Sequence, residues 1–186
     1  MNKRVYTSLS IFSGAGGLDI GFHKTGRIRT LGCIEYDETF RKTLEKNKNK
    51  LSYFGVPPKI EQVDLSEPKV IDDVVSKYKN VDIVYGGPPC QSFSIMGKTI
   101  SGEKLGTSDH RGQLVFSFSK IIDGLKPKAF LFENVPNIKN IENGNVVNNL
   151  KSEFVSFGYS MWSGLLCAAD FGARTFRERF FILGIL

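Results

Sequence analysis

A thiol that ends an apolar strand inside a rigid turn is set for nucleophilic attack rather than for packing. Cys90 has that setting. It follows Gly86-Gly87-Pro88-Pro89 and is followed by Gln91-Ser92-Phe93-Ser94, at the mouth of a Gly- and Ser-rich stretch over residues 90–110 with no hydrophobic period. Aperiodic stretches of that length are uncommon in compact domains unless they serve a function or are disordered. Most lone cysteines are inert buried hydrophobes, and Cys33 and Cys167, each in an apolar strand context, are read that way. Nothing ties His23 or His110 to activation of a thiol, so no Cys/His protease pairing is read. Three cysteines and two histidines without metal-ligand spacing predict neither a disulfide framework nor a metal site.

Carboxylates and arginines recur where apolar strands stop. Phe12-Ser13-Gly14-Ala15-Gly16-Gly17 lies between a strand and a helix, where glycines let backbone N–H groups approach a ligand beside the positive helix end. A tight structural turn explains those glycines equally well. Glu35, at the end of the next strand, can hold ribose hydroxyls, and Asp64, read as ending the third, can take an adenine amino group. A helix cap or a solvated strand end is the plain alternative for either. No Gly-Lys-Ser/Thr follows the glycines, so the expected cofactor is a nucleoside without phosphates. Glu133, in Phe132-Glu133-Asn134-Val135, is a further carboxylate at a strand end. Arg177 and Arg179, two apart in a strand, share a face and suit oxygens on a base or phosphate, unless they only pair with Glu178 and Asp170 at the surface.

The elements that must position these groups alternate between strand and helix. Strands are expected over residues 5–12, 30–34, 60–65, 81–85, 129–132, 159–167 and 179–186, and helices from Leu18, from Asp37 to Lys48, from Pro68 to Lys77, over 113–125 and over 145–157. That alternation predicts an α/β fold with a mostly parallel sheet and helices on both faces. Ligands then bind at the carboxyl ends of the strands, where the unusual residues fall.

Composition narrows the class. The chain has 186 residues, 41% hydrophobic and 24% charged, which suits one globular domain. No apolar run reaches the roughly 18 residues of a membrane span, and the start lacks a signal-peptide core. A soluble, cytoplasmic or nucleoid-associated protein is expected. The net charge of +6 favours polyanionic partners, although the basic residues are scattered.

Taken together, these blocks resemble the DNA cytosine carbon-5 methyltransferases. The glycine run, Glu35-Tyr36, Asp64-Leu65, Gly87-Pro88-Pro89-Cys90-Gln91-Ser92-Phe93-Ser94, Arg111-Gly112, Glu133-Asn134-Val135 and Arg177-Glu178-Arg179 stand in that family's order and approximate spacing, from about residue 7 to 184. The resemblance implies a Rossmann-like methyltransferase fold with S-adenosylmethionine as cofactor, S-adenosylhomocysteine as product and no metal. Phe12, Gly14, Gly16, Gly17 and Leu18 would line its amino-acid end, Glu35 its ribose, Asp64 its adenine, and Tyr36 the adenine face, with Leu65 and Pro88 completing the set. Cys90 would attack carbon 6 of a cytosine flipped out of double-stranded DNA. Glu133 would hold the ring nitrogen and amine with a raised pKa, Arg179 helped by Arg177 would bind the carbonyl oxygen, and residues 92–110 would close over the base.

Two departures from the family pattern shape the expectation. Arg174-Thr175 stands where Pro-Gln is usual, and the sequence ends at Leu186, before the family's target-recognition region and final block. One catalytic domain over 1–186, of restriction-modification type, is therefore expected, either as the larger chain of a two-chain enzyme, completed by a second chain carrying target recognition, or as a truncated product. An RNA or tRNA methyltransferase of the same family and a non-catalytic cofactor- or DNA-binding remnant are the alternatives.

Overall fold

The computed structural model describes residues 4–89 and 113–186. Its strands are β1 (Tyr6–Ile11), β2 (Ile28–Ile34), β3 (Lys59–Glu61), β4 (Ile83–Gly86), β5 (Ala129–Asn134), β6 (Ser160–Cys167) and β7 (Glu178–Ile185). They form one sheet in the order β3-β2-β1-β4-β5-β7-β6. The first five in that order run parallel, and β7 is antiparallel to both neighbours. The order reverses between β1 and β4, so the crevice outside their carboxyl ends is where a ligand is expected in such a sheet.

The helices are α1 (Gly17–Lys24), α2 (Glu38–Asn47), α3 (Pro68–Lys77), α4 (Gln113–Leu125) and α5 (Asn145–Ser156). Local chemistry sets several ends. Asp37 accepts from the Thr39 and Phe40 amides at the start of α2, and Pro68 opens α3, where its missing N–H costs nothing. The main core joins the sheet to α3, α4 and α5, with Phe118 of α4 edge-on to Phe130 and Phe132 of β5, and Phe154 of α5 against Phe130. Among the described residues no helix is long and apolar enough to cross a membrane.

Among the described residues, helices cover only half of the opposite face. One lateral row crosses the whole sheet, through Ile60, Cys33, Ser10, Tyr85, Leu131, Leu183 and Trp162. Under α1 and α2, Cys33, Ser10 and Tyr85 are at most 1% exposed, whereas Leu183 and Trp162 are 37% and 48% exposed. Ile185, on the same face beside Ser160, is 56% exposed.

Most strand ends lie within two residues of the sequence expectation, and β3 departs further. β3 stops at Glu61, four residues before the expected Leu65, so Asp64 lies in the connection rather than at a strand end. Only three residues of β3 pair with β2, and the Asp64 carboxylate turns back to accept the Ser66 amide at 2.9 Å. Arg177 precedes β7, whose first paired residue is Glu178.

Candidate active site

The carboxyl ends of β1, β2 and β4 frame a cleft of about 490 Å³. Phe12, Gly14, Glu35, Tyr36, Asp64 and Leu65 line it, all named from the sequence. Ile34, Asp37, Phe40, Val63, Ser66, Gly87, Pro89 and Leu114 line it as well. Among the described residues its wall carries three carboxylates and no cationic side chain. Such a wall disfavours phosphates and suits a ligand bearing positive charge.

Glu35 organises this cleft. Its Oε2 accepts the Gly14 amide at 2.7 Å, and its Oε1 accepts the Asp37 amide at 2.8 Å. One carboxylate thus clasps the glycine loop to the start of α2. The loop begins with Phe12 at φ 52°, a left-handed conformation that costs a non-glycine residue on the order of 1–3 kcal/mol, and continues through Gly14 and Gly16, also at positive φ. Tyr36 is 63% exposed and Phe40 47%, so two ring faces are open at the cleft rim. Gly16, Gly17, Leu18 and Pro88 do not line it. Gly16 caps α1 from beneath, and Pro88 is buried.

Glu133 lies at the other side of Gly87. Its Oε1 pairs with Arg179 Nε at 3.0 Å, and Arg177 acts on it through space. Burial nonetheless dominates and holds the carboxyl above its ordinary range, against the pull of both arginines. A Cβ on Gly87 would sit 2.5 Å from Glu133 Oε2, so only glycine leaves room for the carboxyl there. The Asn134 amide donates to the Pro88 carbonyl at 3.0 Å, and its Oδ1 accepts the Val135 amide at 2.9 Å. Asn134 therefore ties the Pro-Pro turn to β5, a positioning role that its type alone did not reveal. Arg177 and Arg179 also line, with Thr175, Phe176 and Cys167, an open hollow of about 520 Å³.

Cys90 and residues 92–110 lie outside the described residues. The chain reaches them from Pro89, which lines the cleft. Cys33 is buried and Cys167 half-buried.

A seven-stranded, mostly parallel sheet with an antiparallel seventh strand, and a phosphate-avoiding cleft at the β1/β4 crevice, define a Rossmann-like methyltransferase domain. The family described as C-5 cytosine-specific DNA methylase matches residues 6–186. The chain belongs to that family. It is 35% identical over 179 residues to the Type II methyltransferase M1.ScrFI of Lactococcus lactis subsp. cremoris, covering 96% of this chain and 41% of that protein. It is also 35% identical to the Type II methyltransferase M.AquIA of Picosynechococcus sp., covering 95% of this chain and 70% of that protein. A crystal structure described as an Escherichia coli prophage-encoded DNA modification methyltransferase superposes with a TM-score of 0.74 at 27% identity, over 97% of this chain and 46% of that one. The chain thus spans less than half the length of several curated relatives it matches.

Proposed function

We propose that residues 1–186 form the cofactor-binding and catalytic part of an enzyme that methylates carbon 5 of cytosine in double-stranded DNA. The observation that carries this reading is the Glu133–Arg179 pair set against Gly87, two residues before Pro89 and beside the cleft.

The cleft fits S-adenosylmethionine, a cationic nucleoside without phosphates. Bound there, it supplies an electrophilic methyl group. Glu35 would accept from the ribose hydroxyls, Asp64 from the adenine amine, and the rings of Tyr36 and Phe40 offer apolar faces to the adenine. The target base must leave the duplex to meet these groups. The Cys90 thiolate then bonds to carbon 6 while Glu133 delivers its proton to the ring nitrogen, which leaves carbon 5 electron-rich. A carboxyl held above its usual range by burial suits that donation. Arg179, with Arg177, holds the ring oxygen. Carbon 5 would then take the methyl group as its bond to sulfur breaks, leaving S-adenosylhomocysteine; loss of the carbon 5 proton to a base expels the Cys90 thiolate, and the ring nitrogen returns its proton to Glu133.

A second chain carrying the base-reading region completes the proposal. The bare half of the sheet face at Leu183, Trp162 and Ile185 supports it, because sheets of this kind are ordinarily covered on both sides. The bacterial relatives favour a cytoplasmic or nucleoid setting. Alone, the net charge of +6 supplies sequence-independent, salt-sensitive phosphate contacts.

The test uses duplex DNA whose target cytosine carries fluorine at carbon 5, with the cofactor and with or without a recognition-bearing chain. Fluorine cannot leave as a proton does, so a covalent complex should persist on a denaturing gel. An equal shift with Cys90→Ala would remove the thiol from the mechanism, and transfer to tRNA in preference to DNA would redirect the substrate assignment.

A further inference from the structure

The connection between β6 and β7 carries two bare aromatic rings close to the Glu133–Arg179 pair. Residues 170–178 are all exposed, and within them Phe171 is 73% and Phe176 94% exposed. Backbone bonds hold this connection in shape. The Gly172 amide donates to the Ala169 carbonyl at 3.0 Å, Ala173 to that of Ala168 at 3.1 Å, and Ala168 to that of Arg177 at 3.0 Å. The last of these closes the connection at its base, where Cys167 faces Glu178 across the strand pair. Phe176 stands one residue before that closing bond, so its backbone is fixed while its ring faces solvent.

The ring has cationic company. Phe176 borders the hollow of about 520 Å³ together with Arg177 and Arg179. Between Asp170 and Glu178 the connection carries two arginines, Arg174 and Arg177, and no carboxylate. Arg174 is exposed and has no ionic partner among the described residues. Three residues of chain reach at most about 11 Å between Cα atoms, which bounds the separation of Phe176 from Arg179. Bases along one strand are spaced by about 3.4 Å, so that reach covers roughly three base steps from the base Arg179 would hold. Arginines interleaved with an open aromatic ring suit DNA more than a protein surface. Phosphates take the guanidinium groups, and a free base face takes the ring.

We propose that Phe176 stacks on a base face of the DNA at the step opened when the target cytosine leaves the duplex, while Arg174 takes a neighbouring phosphate. In a closed duplex every base is stacked on both sides and offers the ring no face. Extrusion of the target opens a step, and an apolar side chain can then enter it. The contact therefore favours opened DNA over closed DNA, a preference that phosphate contacts alone do not supply. It rests on the DNA substrate proposed above.

The test titrates the full chain, by fluorescence anisotropy, into two labelled duplexes that differ only in whether one cytosine is paired or unpaired. Phe176→Ala should weaken binding to the duplex with the unpaired cytosine roughly 5- to 150-fold, the loss expected for one stacked base, and leave the closed duplex nearly unchanged. Its salt dependence and Tm should match the parent's, because neither a phosphate contact nor a core residue is lost. Arg174→Gln should weaken both duplexes and reduce the salt slope by about 0.9. Phe176→Trp should keep the preference for the opened duplex, whereas Phe176→Leu, apolar but without a ring, should lose most of it. A parental preference in Phe176→Ala or in Phe176→Leu would overturn the stacking contact. So would a Phe176→Ala chain that binds both duplexes as the parent does but no longer joins a recognition-bearing chain, since the ring would then be a protein contact. A parent that binds neither duplex would overturn the DNA substrate and this contact with it, whereas a parent that binds both and is matched by Phe176→Ala overturns the contact alone.

Discussion

Replacing Glu35 separates a cofactor-binding carboxylate from a structural one. Its two oxygens accept the Gly14 and Asp37 amides at 2.7 and 2.8 Å, and each keeps a lone pair for a ribose hydroxyl in the cleft. A hydrogen bond to a charged group contributes roughly 1.5–3 kcal/mol, so losing one ribose contact in Glu35→Ala should weaken cofactor binding about 10- to 150-fold. Loss of the clasp adds a smaller stability cost, on the order of 1 kcal/mol, because water can reach the freed amides at this half-exposed position. Glu35→Gln sharpens the case. Its amide has one accepting oxygen, so its NH2 group must face one of the two backbone N–H donors, and only half of the clasp survives. Calorimetric titration of parent and variants with S-adenosylmethionine and S-adenosylhomocysteine, alongside melting curves, gives both quantities. A lowered Tm with unchanged affinity would refute the ribose assignment and leave Glu35 as a loop tether.

The two glycines before the Pro-Pro turn should respond in opposite ways. A Cβ on Gly86 would overlap the backbone carbonyl of Ile11, so Gly86→Ala should destabilise by roughly 1–3 kcal/mol or more in denaturant unfolding. On Gly87 the first atom met is the end of the Glu133 side chain, so Gly87→Ala should leave Tm nearly unchanged and reduce methyl transfer by displacing that carboxyl. Glu133→Gln should lower activity by about 10²–10⁴-fold, the usual yield of a positioned proton donor. Burial raises the folded-state pKa of Glu133 above its unfolded value of about 4.3, so its stabilising contribution is full below that value and is lost as pH rises through the folded one. The Tm of Glu133→Gln relative to the parent should therefore climb between acid and neutral pH; a flat difference would show that the arginines cancel burial, and a falling one that they outweigh it.

Much of this protein is legible in its sequence because the signals are local. The strand–helix alternation, Asp37 as a helix cap, Pro68 at a helix start and a carboxylate at Glu35 after an apolar strand each depend on neighbours within a few positions, and each stands in the structure where it was read. What spacing could not carry is distance across the sheet. Strand β3 ends at Glu61 because pairing with β2 lasts only three residues, and no local signal marks where a ladder stops. The clasp between Glu35 and Gly14, the pairing of Glu133 with Arg179 and the hold of Asn134 on Pro88 join positions 21, 46 and 46 residues apart, and exist only once the strands are laid in register. The same register gathers Cys33, Ser10 and Tyr85 beneath α1 and α2, and leaves Leu183 and Trp162 bare at the far end of one row. Sequence chose the side chains; which of them meet, and how deeply each is buried, was decided by the stacking order of the strands and by where helices cover them.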